Sequence, residues 1–394
     1  MNKARTSLLV AAVTMAAQNG IVMAFGVLYL PLLREFGEGR GVVAAIQSGV
    51  VLLGGLGAPF AGGALDRWGP RRLFPSGAAL AAAGLLLASQ TATLPLLVLS
   101  YGVMAGAGLS ALSSPPNMVV VAQWFPGRRG RAIALADLGT ALGAFAVVPL
   151  TQLLVDAWGW RVALRVLAGL LVALVVPANA LFQHVPLPAP GAAPAEPSGR
   201  PPLGTAARTA TFWWLAALRF FTGVGFTLVN VHAVAAAVEA GIAPLRAAAA
   251  LGSVSLVSLV GRLGVGWLTD RLGPACALSL SFGSGLVGVA CLGLLAVTGE
   301  GAWLAAFVLF YGLAQGSGGI VATAAATAAF HGPAVGVITG WIAVASGPGE
   351  ALGAWGGGAL YDWTGGYRIA LIVAGMALAG GITAIWLAQR QPPR

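Results

Sequence analysis

Residues 62–72 read Gly-Gly-Ala-Leu-Asp-Arg-Trp-Gly-Pro-Arg-Arg, and a weaker copy, Gly-Trp-Leu-Thr-Asp-Arg-Leu-Gly, occupies residues 266–273. The aspartates of the two copies are 204 residues apart. A second pair of runs, Val-Asp-Ala-Trp-Gly-Trp-Arg (155–161) and Tyr-Asp-Trp-Thr-Gly-Gly-Tyr-Arg (361–368), places its aspartates 206 residues apart. Two independent pairs at nearly the same spacing indicate that the chain is built from a duplicated unit.

The composition around these runs excludes a water-soluble protein. Only 8% of the 394 residues are charged and 58% are hydrophobic, whereas a soluble domain carries about 25% charged residues. The net charge of +10 comes from residues in short turns between apolar runs, without the dense basic patch of a nucleic-acid-binding protein. A soluble enzyme, a nucleic-acid partner and a disordered chain are therefore excluded, and a membrane protein is indicated.

Residues that carry catalytic or metal chemistry are few and scattered. Cys276 and Cys291 share one apolar segment, and the histidines, His184, His232 and His331, have no ligand spacing. This pattern predicts neither a disulfide framework nor a metal site. No nucleophile with a spaced base and no phosphate-binding loop is present. We therefore expect a protein that is not an enzyme and has no cofactor.

The apolar runs are long enough to cross a bilayer, which needs roughly 20 apolar residues per helix. The first run is too long for the apolar segment of a signal peptide, so we expect an uncleaved span. The sequence predicts an all-α integral membrane protein with twelve helices, at 7–33, 42–64, 74–92, 94–121, 131–155, 161–184, 211–238, 246–268, 275–297, 302–328, 334–360 and 366–389.

A proline-rich segment divides these helices into two sets of six. Residues 185–210 contain seven prolines, which is typical of an extended linker. We expect an N-terminal bundle over 1–185, a cytoplasmic linker over 186–210 and a C-terminal bundle over 211–394, related by a pseudo-two-fold axis. Parallel repeats of this kind describe a large class of secondary transporters.

Basic residues near the helix ends predict the orientation in the membrane. If the N-terminus is cytoplasmic, thirteen Lys and Arg residues lie on the cytoplasmic side and five on the other side. Because short cytoplasmic loops carry the excess of basic residues, we expect both termini to be cytoplasmic and the protein to lie in the cell inner membrane. This topology explains the positive net charge without an acidic partner.

Residues 62–72 resemble the cytoplasmic signature between the second and third helices of the major facilitator superfamily, and the resemblance extends over all twelve spans. We expect Asp66 and its neighbouring arginines to form an ionic latch that opens during transport, with Asp137 in reach of Arg71 or Arg131. The alternative is a static loop that only sets the topology. The residues of this predicted gating motif are Gly62, Gly63, Asp66, Arg67, Gly69, Arg71, Arg72, Asp137, Asp270 and Arg271.

Three ionisable residues inside the predicted spans indicate function, because such groups are costly in a membrane. We expect Arg262 to anchor a substrate, since a guanidinium binds a carboxylate through two parallel hydrogen bonds. The alternative is that Arg262 pairs permanently with a protein carboxylate or extends to the cytoplasm. Arg219 either binds substrate or pairs with Glu350, and Glu350 either forms that bridge or carries a proton.

Other polar and aromatic residues are weaker candidates for the same site. Asn117 follows Pro115-Pro116 and either binds substrate or hydrogen-bonds the carbonyls that the prolines leave free. His232, whose side chain titrates near neutral pH, is a candidate for substrate binding and proton coupling, with a structural role as the alternative. The remaining candidates are Gln315, Trp341, Phe145 and Tyr29. For the three aromatic residues, packing against lipid or against another helix is the alternative.

A narrower resemblance lies in residues 229–232, 261–267, 115–117 and 123–130, which are similar to bacterial members of the monocarboxylate transporter family. It implies that Arg262 grips a substrate carboxylate and that Asn117 and His232 line the same cavity. Three features depart from relatives. Ser258 replaces the acid that animal members place one turn before the Arg, and the first helix lacks their lysine. Glu350 occupies the helix in which oxalate-type relatives carry a basic residue.

The expected function is secondary transport of a small organic anion, best fitted by a monocarboxylate, by alternating access. The expected partners are a proton for symport or an exchanged anion, and the lipid bilayer, with the protein as a monomer. A proton-coupled drug or metabolite exporter is the alternative, but residues 138–145 lack the Gly-Pro pair common in the fifth helix of such exporters. A membrane sensor that does not transport is the other alternative, and would be expected to add a soluble domain.

Overall fold

The computed structural model describes residues 3–125, 128–184, 203–330 and 335–390, in which all regular structure is helical. The first six helices are α1 (Lys3–Phe36), α2 (Arg40–Trp68), α3 (Pro70–Ala88), α4 (Leu94–Trp124), α5 (129–158) and α6 (160–182). The second six are α7 (Ala210–Glu239), α8 (Pro244–Leu272), α9 (Pro274–Thr298), α10 (Ala302–Ala329), α11 (Val335–Thr364) and α12 (Arg368–Gln389).

Twelve spans follow from the lengths and bends of these helices. Within the described ranges, ten helices are long and apolar enough to cross a membrane. One of them, Gly130–Phe182, bends at Gly159, where φ is 81°, and therefore provides both α5 and α6. Helix α3 has 19 residues, although Arg71 and Arg72 in its first turn lower its hydropathy. The prediction of an all-α membrane protein is confirmed.

Glycines at the helix ends repeat with the spacing found in the sequence. Gly69 ends α2 with a φ of 71°, and Gly273 ends α8 with a φ of 83°. Gly159 and Gly365, which follow α5 and α11, have φ values of 81° and 74°. Glycine adopts positive φ without the steric penalty of a side chain. The turns that join the helices are therefore duplicated along with the helices themselves.

Close helix pairs at corresponding positions hold each bundle together. A Cβ atom added at Gly143 of α5 would lie 2.0 Å from the carbonyl oxygen of Ala16 in α1. A Cβ atom added at Gly349 of α11 would lie 2.2 Å from the carbonyl oxygen of Phe220 in α7. Small residues allow helix backbones in membranes to approach this closely. The pairs α1–α5 and α7–α11 are thus equivalent contacts in the two halves.

Some predicted boundaries shift for local reasons. Helix α3 begins at Pro70 rather than at residue 74, because Gly69 ends α2 and proline is favoured at the first helical position. The predicted linker, 186–210, lies mostly outside the described residues, and its described part contains a short helix, Leu203–Ala206. The bundle boundaries and the membrane orientation stay predictions.

The first residue of α1 and the last residue of α12 lie at the same end of the molecule, because the helices alternate in direction. We call this end the terminal face and the other end the opposite face. Large apolar side chains are exposed on the outside of the bundles, including Phe60 (79% exposed) and Val297 (80%). Apolar surface of this extent is suited to contact with lipid.

Candidate functional site: a polar cavity between the bundles

A cavity of about 330 Å³ lies midway along the helices, between the two bundles. Helices α1, α2 and α4 line it on one side, and α7, α8, α10 and α11 on the other. This volume is at the lower end of the range for small-molecule sites. The polar side chains in its lining are Gln18, Asn19, Gln47, Ser110, Arg219, Thr222, Thr227, Asn230, Arg262, Gln315, Ser346 and Glu350.

Arg262 lines the cavity, but its guanidinium already has an acidic partner. Its Nη1 donates a hydrogen bond to the carboxylate of Asp137 in α5. The structure therefore shows Arg262 paired with a protein carboxylate in this state, and whether the pair is permanent stays open. It also corrects the expected pairing of Asp137 with Arg71 or Arg131, because Asp137 faces α8 at the level of the cavity. Arg71 instead donates to the carbonyl oxygen of Leu181 at 3.0 Å.

Arg219 and Glu350 also line the cavity, on the adjacent helices α7 and α11. These helices meet at Gly223, where an added Cβ atom would lie 2.8 Å from the Glu350 backbone nitrogen. Among the described residues, neither side chain has an oppositely charged atom within 4.0 Å. The two charges attract each other, but the predicted bridge is not closed. Arg219 thus brings an uncapped guanidinium to the cavity.

A break in α10 gives both arginines room. The helix is interrupted between Ala314 and Ser317, and Gly316 has a φ of 87°. A Cβ atom added at Gly316 would lie 2.4 Å from Arg262 Nε, and one added at Gly319 would lie 3.2 Å from Arg219 Nη1. The two guanidinium groups therefore pack against glycine backbone on the same segment of α10.

Gln315, a candidate binding residue at this break, lines the cavity. Its Nε2 lies 3.4 Å from Asn230 Oδ1, which also accepts a hydrogen bond of 3.1 Å from the Tyr311 hydroxyl. The Gln315 Oε1 atom is buried without a partner among the described residues. Gln315 can therefore accept one more hydrogen bond at the cavity wall.

Asn117 lies outside the cavity lining and is fully buried. Its Nδ2 donates to the carbonyl oxygens of Leu112 and Ser113, at 3.0 Å each. Pro116, four residues after Leu112, has no backbone N–H to donate to the Leu112 carbonyl. The structure thus supports the alternative in which Asn117 repairs the break in α4, and corrects its expected place in the binding site.

His232 and Tyr29 form part of a buried cluster on the side of the cavity nearer the opposite face, and neither lines the cavity. The His232 Nε2 donates to the Ala354 carbonyl oxygen at 2.9 Å. The Tyr29 ring meets the His232 ring edge-on at 4.9 Å, and its hydroxyl donates to the Arg40 carbonyl oxygen at 2.9 Å. Because these groups bind helix backbone and each other, the structure gives them a packing role.

Trp341 and Phe145, the other aromatic candidates, also lie outside the cavity lining. Trp341 is 50% exposed and Phe145 is 42% exposed. The backbone of Phe145 contacts Gly252, where an added Cβ atom would lie 3.2 Å from its carbonyl oxygen. Helix position alone did not reveal which side of each helix faces the cavity.

The predicted latch is not closed in this structure. Asp66 is exposed and forms no ion pair with another described residue. In the second copy Asp270 is also exposed, and Arg271 lies over the ring of Trp267 at 4.3 Å. The side chain of Arg129 and residues 126–127 lie outside the described part of the chain. The latch thus stays a prediction, for a state in which the terminal face is closed.

At the opposite face, in contrast, the two bundles are joined by contacts of Arg40, which was not among the predicted site residues. Arg40, in the first turn of α2, pairs with Glu239 at the end of α7. Its guanidinium lies 3.6 Å from the ring centre of Tyr361 and donates a hydrogen bond of 2.6 Å to the hydroxyl of Tyr367. The carboxylate of Asp362 accepts hydrogen bonds from the first backbone N–H groups of α2. These contacts seal the opposite face.

Sequence reasoning also missed polar residues that line the N-terminal side of the cavity. Asn19 donates to the Thr140 carbonyl oxygen at 2.9 Å, and Gln47 donates to the Val22 carbonyl oxygen at 3.2 Å. The signal was present, because Gln18-Asn19 and Gln47 are amide residues inside apolar runs. Within the described ranges, no group of three His, Cys, Asp or Glu side chains is placed to hold a metal ion.

Comparison with known sequences agrees with this architecture. Residues 8–354 match the Major Facilitator Superfamily. Monocarboxylate transporter 13 of Bos taurus is 30% identical over 92% of this chain and 84% of its own length. Monocarboxylate transporter 4 of Mus musculus is 30% identical over 89% of this chain and 76% of its own length.

Solved transporter structures share the fold. The nucleoside transporter NupG superposes with a TM-score of 0.79 at 11% identity, over 99% of each chain. A bacterial homolog of the human lysosomal transporter Spinster has a TM-score of 0.75 at 14% identity, over 99% of this chain and 98% of its own. The relatives and the fold indicate a membrane transporter and no catalytic family. The chain belongs to the major facilitator superfamily, within which it is similar to monocarboxylate transporters.

Proposed function

We propose that the protein transports a small organic anion, of the monocarboxylate class, across the cell inner membrane by alternating access. One observation carries the proposal: two guanidinium groups, those of Arg219 and Arg262, line one small cavity between the bundles. Guanidinium groups bind carboxylates strongly where water is scarce. The names of the relatives point to the same class of substrate.

The charges of the cavity support an anion rather than a cation. Arg262 shares its charge with Asp137, whereas Arg219 has no acid within 4.0 Å among the described residues. A buried charge without a close partner is unfavourable, so an anion beside Arg219 would relieve a cost that the empty site carries. We therefore assign Arg219 and Arg262 jointly to the substrate carboxylate, with Gln315 as a further hydrogen-bonding group.

The distribution of contacts between the bundles supports alternating access. The opposite face is tied by the Arg40 contacts. Among the described residues, no hydrogen bond or ion pair joins the bundles nearer the terminal face than the pair Arg262–Asp137. If the terminal face is cytoplasmic, as the basic residues predict, the structure represents an inward-facing state. Bundles that rock about the central cavity would then expose it to either side in turn.

Glu350 is the candidate that would bind a proton in symport. With Arg219, Arg262, Asp137 and Glu350 all ionised, the four charges sum to zero, and a bound monoanion would leave one negative charge in a dry site. Protonation of Glu350, the acid without an ion pair, would restore neutrality. Exchange of one anion for another needs no such proton, so the two modes are separable.

Uptake of radiolabelled pyruvate into proteoliposomes tests the proposal. We expect wild-type protein to accumulate pyruvate, and Arg219→Gln to reduce uptake at least tenfold while membrane insertion stays normal. Arg368→Gln, at an exposed position on the opposite face, is the matched control and should transport normally. Efflux of a lipophilic cation, without pyruvate uptake, would instead support the exporter.

A further inference from the structure

The acid that pairs with Arg262 comes from the other bundle. Arg262 belongs to α8 of the C-terminal bundle and Asp137 to α5 of the N-terminal bundle, and both side chains are partly buried. Helix α8 supplies no acid of its own one turn earlier, because the Ser258 hydroxyl there donates to the Ser255 carbonyl oxygen at 2.6 Å. The charge of Arg262 is therefore neutralised only while α5 and α8 lie together.

This ion pair uses only part of the guanidinium. Arg262 contacts Asp137 through Nη1, and the same nitrogen lies 3.5 Å from the Thr140 hydroxyl. The Nε atom is buried against Gly316 and has no partner among the described residues. A carboxylate held at two nitrogens would be bound more strongly than one held at a single nitrogen. The present contact thus leaves Arg262 able to form a better pair.

A solute in the cavity can reach only one member of the ion pair. Arg262 lines the cavity, whereas Asp137 does not. A solute in the cavity therefore reaches the cation of the pair without first meeting its anion. Among the described residues, the carboxylate of Asp137 has one further hydrogen-bond partner, the Thr140 hydroxyl, at 3.5 Å from Oδ1.

We propose that the substrate carboxylate displaces Asp137 from Arg262, which makes Asp137 the residue that couples anion binding to the separation of α5 from α8. The inference rests on the proposed function. A ligand shifts a conformational equilibrium only by binding one state better than the other. Here the state without the Asp137–Arg262 contact offers a free guanidinium, so the anion favours that state.

Removal of the competitor tests the displacement. Asp137→Asn leaves Arg262 without an acidic partner, and we expect pyruvate to bind about tenfold more tightly, as measured by calorimetry on the purified protein. Asp156→Asn is the matched control, because Asp156 accepts its hydrogen bond of 2.7 Å from Gln152 within α5 and should leave the affinity unchanged. An unchanged or weakened affinity in Asp137→Asn would overturn the proposal.

A distance measurement without substrate tests separately whether the Asp137–Arg262 pair holds the two bundles together. Spin labels at Leu135→Cys and Leu263→Cys, both exposed, report the distance between α5 and α8 in protein that lacks Cys276 and Cys291. We expect Asp137→Asn to lengthen this distance. The charge-swapped variant Asp137→Arg/Arg262→Asp should restore the wild-type distance but should not bind pyruvate, because it lacks the guanidinium of Arg262.

The binding experiment and the distance experiment can contradict different hypotheses. A wild-type protein that binds no small carboxylate would contradict the proposed function. An unchanged label distance in Asp137→Asn, in a protein that does bind pyruvate, would contradict the role of Asp137. Pyruvate should lengthen the label distance in wild-type protein, in the same direction as the substitution.

Discussion

The carboxylate of Asp362, in the C-terminal bundle, accepts a hydrogen bond of 2.8 Å from the backbone N–H of Arg40, in the N-terminal bundle. The start of α2 thus receives an acidic cap from the other half of the molecule. An anion at a helix N-terminus is favoured both by the unpaired N–H groups and by the helix dipole. Opening of the opposite face must break this cap together with the ion pair between Arg40 and Glu239.

We expect Asp362→Ala to open the opposite face more often. The readout is the rate at which a membrane-impermeant maleimide modifies Ser48→Cys, in a protein that lacks Cys276 and Cys291. Ser48 lies in the sealed contact, where its hydroxyl donates to the Ala351 carbonyl oxygen at 2.7 Å. The rate should rise severalfold.

The matched control for this prediction is Glu300→Ala, an exposed acid in the loop after α9. It should leave the rate unchanged, because it removes an acid without touching the contact between bundles. Equal rates in wild-type protein and Asp362→Ala would show that the cap does not hold the face closed.

Asn117→Ala should destabilise the protein without changing substrate affinity. The substitution removes the side-chain donor from the carbonyl oxygens of Leu112 and Ser113. The Leu112 carbonyl, to which Pro116 cannot donate, is left unsatisfied, and a buried unsatisfied group costs roughly 1–3 kcal/mol. Thermal unfolding in detergent should therefore show a lower midpoint. Gln315→Ala, at the cavity wall, provides the contrast: weaker pyruvate binding with a smaller change in the midpoint. A large loss of affinity in Asn117→Ala would return Asn117 to the binding site.

Local sequence patterns predicted the spans and part of the cavity. Apolar runs bounded by charged turns are readable without knowledge of contacts, which is why twelve helices were predicted in the right order. Arg219, Arg262 and Glu350 were found because a charge inside an apolar run is rare and functional. Gln315 was found as a polar residue beside a glycine cluster.

Contacts between helices were not predictable from these patterns. The pairing of Arg262 with Asp137 joins residues 125 positions apart and depends on how α5 and α8 are rotated. The same rotation decides that His232 faces Tyr29 rather than the cavity. Depth along a helix is readable from sequence, but the side of the helix that meets the cavity is set by packing.

Gly316→Ala should weaken both stability and substrate binding. The residue has a φ of 87°, which costs an L-residue roughly 1–2 kcal/mol. Its methyl group would also lie 2.4 Å from Arg262 Nε, so the guanidinium must move. Thermal unfolding and pyruvate calorimetry measure the two effects. Gly283→Ala in α9, where a Cβ atom meets nothing within 4 Å, should leave the affinity unchanged and should not lower the midpoint, because alanine is the better helix former. Wild-type affinity in Gly316→Ala would show that Arg262 need not hold its position.

Glu350→Gln should separate symport from exchange. Glutamine keeps the shape of the side chain but cannot bind or release a proton, so uptake driven by an imposed pH gradient should fall to background. Anion counterflow, measured with the same pH inside and outside the liposomes, needs no proton. It should keep at least half of its wild-type rate. Glu300→Gln, at the exposed loop, should retain both activities. Loss of counterflow as well would mean that Glu350 is required for the binding site itself, and gradient-driven uptake at the wild-type rate would assign the proton to another group.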